Sequence, residues 1–350
     1  MTLSIDEIRR HLDGLTKPPK SLGRLEELAA RLCLVQQTLA PVTKPRRLVV
    51  FAGDHGVVAA GVSQWPAEIT RLMIGNIRDG GAASSVFARE TATDLVLVDV
   101  GALGDDAVDR GCTGGREAPV RSIVRRVRAG TRNLADEPAL TSAEFAQAVE
   151  VGAEQALTAA EDGMRIVIAG EMGIGNTTSA ACLAMLLADV PLATAVGRGA
   201  GADDVTMQRK RSVVEKAVGR ALSEWESDPT AAIASVCGLE LAAMAGFFVA
   251  ACAAGLTILL DGYVTSSAAL ISERLSPGVA HSMVAAHLSR EPGHRRVLDR
   301  LGLEPFLEWD LCLGEGTGGL LLLGLLDAAA AMTGRMAPLA SLSIPSRPNE

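Results

Sequence analysis

The chain has 350 residues, of which 48% are hydrophobic and 21% charged, and its net charge is −8. This composition is that of a folded globular protein, and the length predicts one large domain together with a smaller one or appended helices. The acidic balance argues against a generic binder of nucleic acid or of anionic membranes, because both need basic surfaces.

The start of the chain, MTLSIDEIRRHLDG, is polar and amphipathic and has no apolar signal-peptide core, so we expect a cytoplasmic protein. The first 40 residues indicate helices joined by the rigid loop TKPPKSLG. Six cysteines are scattered singly, without a CxxC pair or a Cys/His cluster, which argues against a structural zinc site.

Four segments then share one pattern, in which four or five consecutive apolar residues are followed by an acid with glycine nearby. They are RRLVVFAGDHG, TDLVLVDVG, MRIVIAGEMG and LTILLDG. Continuous apolar runs are typical of strands buried on both faces of a parallel sheet. HSMVAAHLS, residues 281–289, is a weaker fifth candidate, whereas the basic run RSIVRRVRAGTR, residues 121–132, is interpreted as a solvated face.

Helical patterns lie between these strands, and the alternation predicts an α/β fold with a doubly wound, mainly parallel sheet. The uncharged residues 241–260 have the length of a membrane span, but Gly255 divides them, so we interpret them as a buried helix, a turn and a buried strand. We expect a large α/β domain at residues 45–316, a small helical domain from residues 1–44 and 317–337, and a disordered tail at 338–350.

The acids that follow the four strands are Asp54, Asp99, Glu171 and Asp261. Ligands of doubly wound sheets bind beyond the carboxyl ends of the strands, so we expect these acids to mark one site there. Glu315, clasped by glycines in LCLGEGTGGLLL, is a carboxylate in an apolar run, and burial there is costly unless the group has a partner or a task.

Two glycine-rich segments could hold an anion. In GEMGIGNTTSAACLAML, residues 170–186, a strand end is followed by glycines and by hydroxyl residues that open a helix. Free N–H groups at a helix start form a phosphate site, although an ordinary strand-to-helix turn capped by threonine is the alternative. The loop is neither a GK[ST] phosphate loop nor a GxGxxG fingerprint. GRGAGADD, residues 197–204, repeats the arrangement, with both aspartates as helix caps.

Isolated residues are weaker evidence for a site than these segments. His55 in GDHG could ligate a metal or act as a base, but packing or a hydrogen-bonded turn is the commoner explanation. Lys210, taken alone, is typical of a solvated helix face. The residues by themselves therefore predict a phosphate-bearing small-molecule ligand and a buried carboxylate near the edge of a parallel sheet, and they leave the reaction open.

Taken together, the segments resemble the nicotinate-nucleotide–dimethylbenzimidazole phosphoribosyltransferases over nearly the whole chain. In order they are KPPKSLGRLEELA, FAGDHGV, EMGIGNTTSAA, GRGAGADD with KRSVV, LDGYVTSSAAL, AHLSREPGH and LGEGTG. One departure is Lys20, where the family loop usually has glycine.

The resemblance implies transfer of ribose 5-phosphate from nicotinate mononucleotide to 5,6-dimethylbenzimidazole, giving nicotinate and α-ribazole 5′-phosphate with inversion, for cobalamin nucleotide-loop assembly. It also implies a Rossmann-like sheet, a homodimer, and no metal or redox cofactor. Transfer to another base, such as adenine or a different benzimidazole, and a non-catalytic nucleotide-binding module of the same fold are the alternatives.

The resemblance also assigns site residues. Glu315 matches the general base that takes the proton of the benzimidazole N–H. Trp65 and Met73 are the expected walls of the base pocket. The expected nucleotide and phosphate contacts are Glu171, Gly173, Gly175, Asn176, Thr177, Thr178, Gly199, Ala200, Gly201, Lys210, Asp261, Ser289 and Gly314.

Overall fold

The computed structural model describes residues 3–104, 120–199 and 201–342. The strands in this part of the chain are β1 Arg46–Gly53, β2 Asp94–Gly101, β3 Arg121–Val124, β4 Ile166–Met172, β5 Thr257–Leu260 and β6 Met283–Ala285. The helices are α1 Ile5–Asp13, α2 Arg24–Gln36, α3 Glu68–Arg78, α4 Ala83–Glu90, α5 Ser142–Glu161, α6 Asn176–Ala188, α7 Leu192–Ala195, α8 Asp204–Trp225, α9 Pro229–Val236, α10 Leu239–Ala253, α11 Tyr263–Leu275, α12 His294–Leu301 and α13 Thr317–Arg335.

All six strands join one parallel sheet in the order β3-β2-β1-β4-β5-β6. From the central strand β1 the chain adds β2 and β3 on one side of the sheet. It then returns to form β4 on the other side of β1 and adds β5 and β6 beyond it. The sheet is therefore doubly wound, as predicted, and its direction of winding reverses between β1 and β4. At such a point the loops beyond the carboxyl ends of the strands separate and leave a crevice for a ligand.

The four apolar runs and the weaker candidate at residues 281–289 are strands in the structure. Every residue of β1 is buried, which explains why its pattern is continuous and not alternating. The basic run at 121–132 contains a strand that was not predicted, because its residues 121–124 form the edge strand β3. Farther along the run, Arg126 pairs with the buried Asp99 at 2.7 Å, so the interpretation as a solvated face was wrong at Arg126.

The apolar stretch at 241–260 lies in the core as a helix, a turn and a strand, as predicted, because it supplies most of α10 and all of β5. Gly246 of α10 and Gly152 of α5 allow these helices to touch backbone to backbone. A Cβ on Gly246 would lie 1.9 Å from the carbonyl oxygen of Val149. Within the described residues one helix, Thr317–Arg335, is long and apolar enough to cross a membrane, and 61% of its most apolar window is buried in the protein, as in core helices.

The chain forms two compact units, Met1–Lys44 with Leu323–Glu350, and Pro45–Leu322. In the first unit Ser4 and Glu7 form a capping box at the start of α1. Lys20 has a φ of 60°, a left-handed conformation that favours glycine. The segment predicted as a disordered tail begins at residue 338, and within it Leu339 donates its N–H to the carbonyl oxygen of Gly14 at 2.7 Å. Residues 343–350 of this segment lie outside the described part of the chain.

Candidate active site

A cavity of about 490 Å³ lies at the carboxyl edge of the sheet, within the unit Pro45–Leu322. Its walls come from the loops after β1, β4, β5 and β6 and from the turn that precedes α13. The lining residues are 62–65, 69, 73, 171–177, 198, 199, 202, 210, 262–265, 287, 289, 291 and 312–315. This is the volume and the place expected for a small-molecule site in a doubly wound sheet.

The first glycine-rich loop forms one wall of the cavity. β4 ends at Met172, and α6 begins at Asn176 without a side-chain cap from Gly175, which has a φ of 99°. A Cβ on Gly173 would lie 2.3 Å from the carbonyl oxygen of Gly53, so only glycine fits there. The start of α6 thus presents N–H groups and the Thr177 hydroxyl at a wall without bulky side chains, which is the arrangement that binds phosphate.

Lys210 reaches this wall from α8. Its Nζ donates to Thr177 Oγ1 at 2.8 Å and to the carbonyl oxygen of Gly197 at 3.1 Å. The residue is only 1% exposed. Burial lowers the pKa of Lys210 to about 8, and the carboxylate of Glu291 opposes that shift. The cation is therefore held inside the cavity wall and not on a solvated face.

The second glycine-rich segment is tied to the loop that follows β6. Gly199 donates its N–H to Glu291 Oε1 at 2.7 Å, and Gly199, Glu291 and Ser289 all line the cavity. Ser289 in turn donates its N–H to His294 Nδ1 at 2.8 Å. Burial lowers the pKa of His294 to about 3, so its imidazole is neutral and holds this loop by hydrogen bonds. Gly201 does not line the cavity, and Ala200 lies outside the described residues.

Glu171 stands at the end of β4 and accepts a hydrogen bond at Oε2 from Asn176 Nδ2. Burial raises the pKa of Glu171 well above its ordinary value, and the nearby carboxylates of Asp261, Glu240 and Glu315 raise it further. The backbone of Gly314 passes so close that a Cβ there would lie 2.3 Å from Glu171 Oε1. Glu171 and Lys210 both line the cavity, and within the described residues no ion pair joins them.

Glu315 lies in the cavity wall in an unusual backbone conformation. Gly314, Glu315 and Gly316 have φ values of 92°, 58° and 79°, so a non-glycine residue is held in the left-handed region between two glycines. Asp261 fixes this turn, because its Oδ2 accepts from Gly316 N at 2.9 Å and its Oδ1 from Gly318 N at 2.7 Å. Asp261 therefore supports Glu315 and is not itself part of the lining.

Glu315 is 3% exposed, and its Oε2 accepts a hydrogen bond from Ser84 Oγ at 2.8 Å. Burial raises the pKa of Glu315, the hydrogen bonds from Ser84 lower it, and the Asp261 carboxylate raises it, with an upward net shift. A carboxylate of raised pKa in a cavity wall is suited to accept a proton near neutral pH.

Of the remaining predicted site residues, two line the cavity and the others do not. Trp65 and Met73 line the cavity, together with Ile69. Thr178 is buried behind the wall and does not line it. The acids after β1 and β2 do not line the cavity either: Asp54 Oδ2 accepts from Leu103 N at 2.7 Å, and Asp99 Oδ1 from Ala102 N at 2.7 Å.

His55 packs against the first glycine-rich loop. Its Nε2 lies 2.6 Å from Glu240 Oε1, and both side chains are fully buried. Its Nδ1 lies 3.3 Å from Ser179 Oγ in the first turn of α6. Within the described ranges no group of three or more His, Cys, Asp or Glu side chains could hold a metal ion.

Comparison with known proteins gives the site its context. The family model described as phosphoribosyltransferase matches residues 3–344. The nicotinate-nucleotide–dimethylbenzimidazole phosphoribosyltransferase of Ralstonia nicotianae is 44% identical over 96% of this chain and 92% of its own length. The enzyme of that name from Thermus thermophilus is 43% identical over 93% of each chain. The chain belongs to the nicotinate-nucleotide–dimethylbenzimidazole phosphoribosyltransferase family.

The fold agrees with this family. The crystal structure of CobT from Thermus thermophilus has a TM-score of 0.89 and 41% sequence identity, over 96% of this chain and 97% of that chain. The resemblance seen in the sequence is thereby confirmed, and the chain is a phosphoribosyltransferase with a doubly wound α/β sheet.

Two contacts within the site were not predicted from the sequence, one made by Ser84 and one by Glu291. Ser84 stands 231 positions from Glu315, in a segment whose only sequence signal was helical. Glu291 lies in the recognised segment AHLSREPGH, but its acid had no partner until the fold brought Gly199 beside it. Neither contact had a signal in the sequence, because Ser84 and Glu291 meet their partners only in the fold.

Proposed function

We propose that this enzyme transfers the ribose 5-phosphate of nicotinate mononucleotide to 5,6-dimethylbenzimidazole. The products are nicotinate and α-ribazole 5′-phosphate, the nucleotide used in cobalamin nucleotide-loop assembly. The names of the relatives support these substrates. The observation that carries the proposal is that one cavity has a glycine-rich helix start with a buried lysine on one wall and a buried carboxylate on another.

The phosphate of the nucleotide would lie against the start of α6. Three features favour an anion there: the backbone N–H groups of Gly175 and Thr177, the hydroxyl of Thr177, and the charge of Lys210. Gly173, Gly199 and Gly314 keep the approach open, and Ser289 and Glu171 line the same space. We propose that Thr178, Gly201 and Asp261 act by supporting these walls.

The acceptor base would lie between Trp65, Met73 and Glu315. Glu315 takes the proton from one benzimidazole nitrogen while the lone pair of the other forms a bond to C1′ of the ribose. The bond between C1′ and the nicotinate nitrogen breaks, and its electron pair returns to the pyridinium ring. Because attack comes from the face opposite the leaving group, the anomeric carbon inverts, and alignment matters as much as basicity.

We also propose a homodimer in the cytoplasm, with no nucleic acid or membrane as partner and no cofactor. The family resemblance supports the dimer. The five described cysteines are free thiols, which is typical of a reducing compartment. We retain residues 45–316 as the catalytic domain and residues 1–44 with 317–337 as the helical one.

The test is a chromatographic assay with nicotinate mononucleotide and 5,6-dimethylbenzimidazole on the wild type and on Glu315→Gln. We expect both products from the wild type and a loss of about 100-fold or more in kcat for the variant, because Gln keeps the shape and cannot accept the proton. Glu308→Gln, which changes an exposed acid paired with Arg295, is the control and should match the wild type.

Two results would contradict the proposal. An active wild type with an equally active Glu315→Gln would mean that the base lies elsewhere. A wild type that forms no product with this acceptor, but does so with adenine or another benzimidazole, would overturn the acceptor and keep the transfer.

A further inference from the structure

The helix α4 begins at the Glu315 carboxylate. Ala82 precedes the helix, and no side chain of the helix itself caps its first turn. The first N–H groups of a helix need acceptors, and a carboxylate placed there also gains from the helix dipole. Glu315 is such an acceptor, because its carboxylate accepts a backbone hydrogen bond from Ser84 in the first turn. The Ser84 hydroxyl also donates to Glu315 Oε2 at 2.8 Å.

This contact is closed to water. Ser84 is 0% exposed and Glu315 is 3% exposed. In such surroundings an ionised carboxylate depends on protein donors, because water cannot replace a lost hydrogen bond. The next residue, Ser85, is also buried, but its Oγ donates to the carbonyl oxygen of Ile77 at 2.7 Å and not to Glu315.

We infer that Ser84 is a positioning residue for the reaction, whose hydroxyl, at the start of α4, holds Glu315 Oε2 so that the carboxylate stays ionised and in one orientation toward the acceptor base. This inference rests on the proposed function of Glu315. It extends that function, because neither the family resemblance nor the glycine-rich turn assigns anything to α4.

Other ionisable groups also face Glu315. They are Glu171 at the end of β4 and Asp261 after β5, and His287 lies 3.6 Å from Asp261. All of them can contribute to the pH dependence of the reaction. The experiment therefore compares variants that differ only at Ser84 and leave these groups in place.

The test measures single-turnover rates between pH 5.5 and 9 for Ser84→Ala and for Ser85→Ala, so that product release does not mask the chemical step. The Ser84 hydroxyl favours the ionised carboxylate, so its removal raises the pKa of Glu315 further. The acidic limb of the Ser84→Ala profile should shift to higher pH, with a rate about tenfold lower at pH 6 and a smaller loss at pH 8.5. Ser85→Ala is the matched control, because it removes a neighbouring buried hydroxyl that does not touch Glu315.

Two further variants make the result specific. Ser84→Thr keeps a hydroxyl and should return the limb toward the wild type. In a Glu315→Gln background Ser84→Ala should cause no further loss, because a residue that acts through Glu315 has nothing left to act on. An equal shift in Ser85→Ala, a profile unchanged in Ser84→Ala, or a further loss in the Gln background would each overturn the inference.

The failures are distinguishable. If Glu315→Gln alone retains wild-type activity, the proposed base is wrong and the inference fails with it. If Glu315→Gln is inactive and the Ser84→Ala profile matches the wild type, only the inference fails. Thermal unfolding of every variant separates loss of rate from loss of folded protein. If the Ser84→Ala protein does not fold, the Ser84→Thr variant is used for the test. Its pH profile must then match the wild type, or the inference is overturned.

Discussion

Lys210 is a buried cation in the cavity wall, and the carboxylate of Glu291 lies near enough to act on its charge. Within the described residues, its two hydrogen bonds go to a hydroxyl and to a backbone carbonyl. An ammonium group has three N–H donors, so one remains for a ligand. Burial already disfavours its charge and lowers the pKa of Lys210 to about 8. A bound phosphate would supply the missing partner.

For Lys210→Met we expect the KM for the nucleotide to rise about 10- to 100-fold, which corresponds to the loss of one charge-assisted hydrogen bond. In the wild type, kcat/KM for the nucleotide should fall as the pH rises through about 8, because the free enzyme then loses the cation. That basic limb should disappear in the variant. Steady-state kinetics between pH 6 and 9.5 provide the measurement.

Lys216→Met is the matched control for that experiment, because Lys216 is on the same helix and its side chain is 64% exposed. It should leave both the KM and the basic limb unchanged. A Lys210→Met enzyme with a wild-type KM for the nucleotide would show that the phosphate binds elsewhere.

At the scale of elements, the position of Glu315 depends on a glycine in the neighbouring strand. A Cβ on Gly170 of β4 would lie 2.5 Å from the carbonyl carbon of Glu315 and 2.7 Å from the nitrogen of Gly316. These are backbone atoms, so the clash cannot be relieved by a side-chain rotation. The strand and the left-handed turn therefore fit together only because residue 170 has no side chain.

We expect Gly170→Ala to displace the turn and to lower kcat by about 100-fold, because a misplacement of roughly 1 Å has that effect on catalysis. Gly219→Ala is the control, since Gly219 lies inside α8 and a Cβ there would meet nothing within 4 Å. It should keep full activity and stabilise the protein by up to about 1 kcal/mol, as alanine does in a helix. Kinetics and thermal unfolding of both variants test the pair, and an active Gly170→Ala enzyme would contradict the coupling.

The elements themselves were largely predictable, because buried parallel strands are read as continuous apolar runs. β3 was missed because it is an edge strand of four residues whose pattern is basic and only partly buried. In the site, the glycine-rich loops were found because their signal is local. Ser84 and Glu291 were not found, because their roles depend on contacts across 231 and 92 positions of the chain. Only the fold creates such contacts.

At the scale of the whole molecule, the doubly wound sheet brings carboxylates from distant segments to one edge. Glu171, Asp261 and Glu315 lie in mutual electrostatic contact there, and burial raises the pKa of each. Like charges in a buried cluster oppose folding, so the site should reduce the stability of the chain when its acids are ionised.

The sign of the resulting pH dependence follows from linkage. A carboxyl group with a raised pKa in the folded state holds its proton over a pH range in which the unfolded chain has lost it. The free energy of unfolding that Glu171 contributes therefore falls as the pH rises from the ordinary value of about 4 toward the raised one. Glutamine has no proton to lose and does not show this decrease.

We therefore expect Glu171→Gln to unfold at a higher temperature than the wild type at pH 8, by about 2 °C for roughly 1 kcal/mol, with a smaller difference at pH 5. Thermal unfolding without substrate at both pH values measures this. Glu150→Gln, at an exposed position of α5, should show no such trend. A difference that stays constant or decreases with pH would mean that Glu171 is ionised without cost, with its charge balanced by a cation or by further hydrogen bonds. The carboxylate cluster would then stabilise the molecule as well as serve its chemistry.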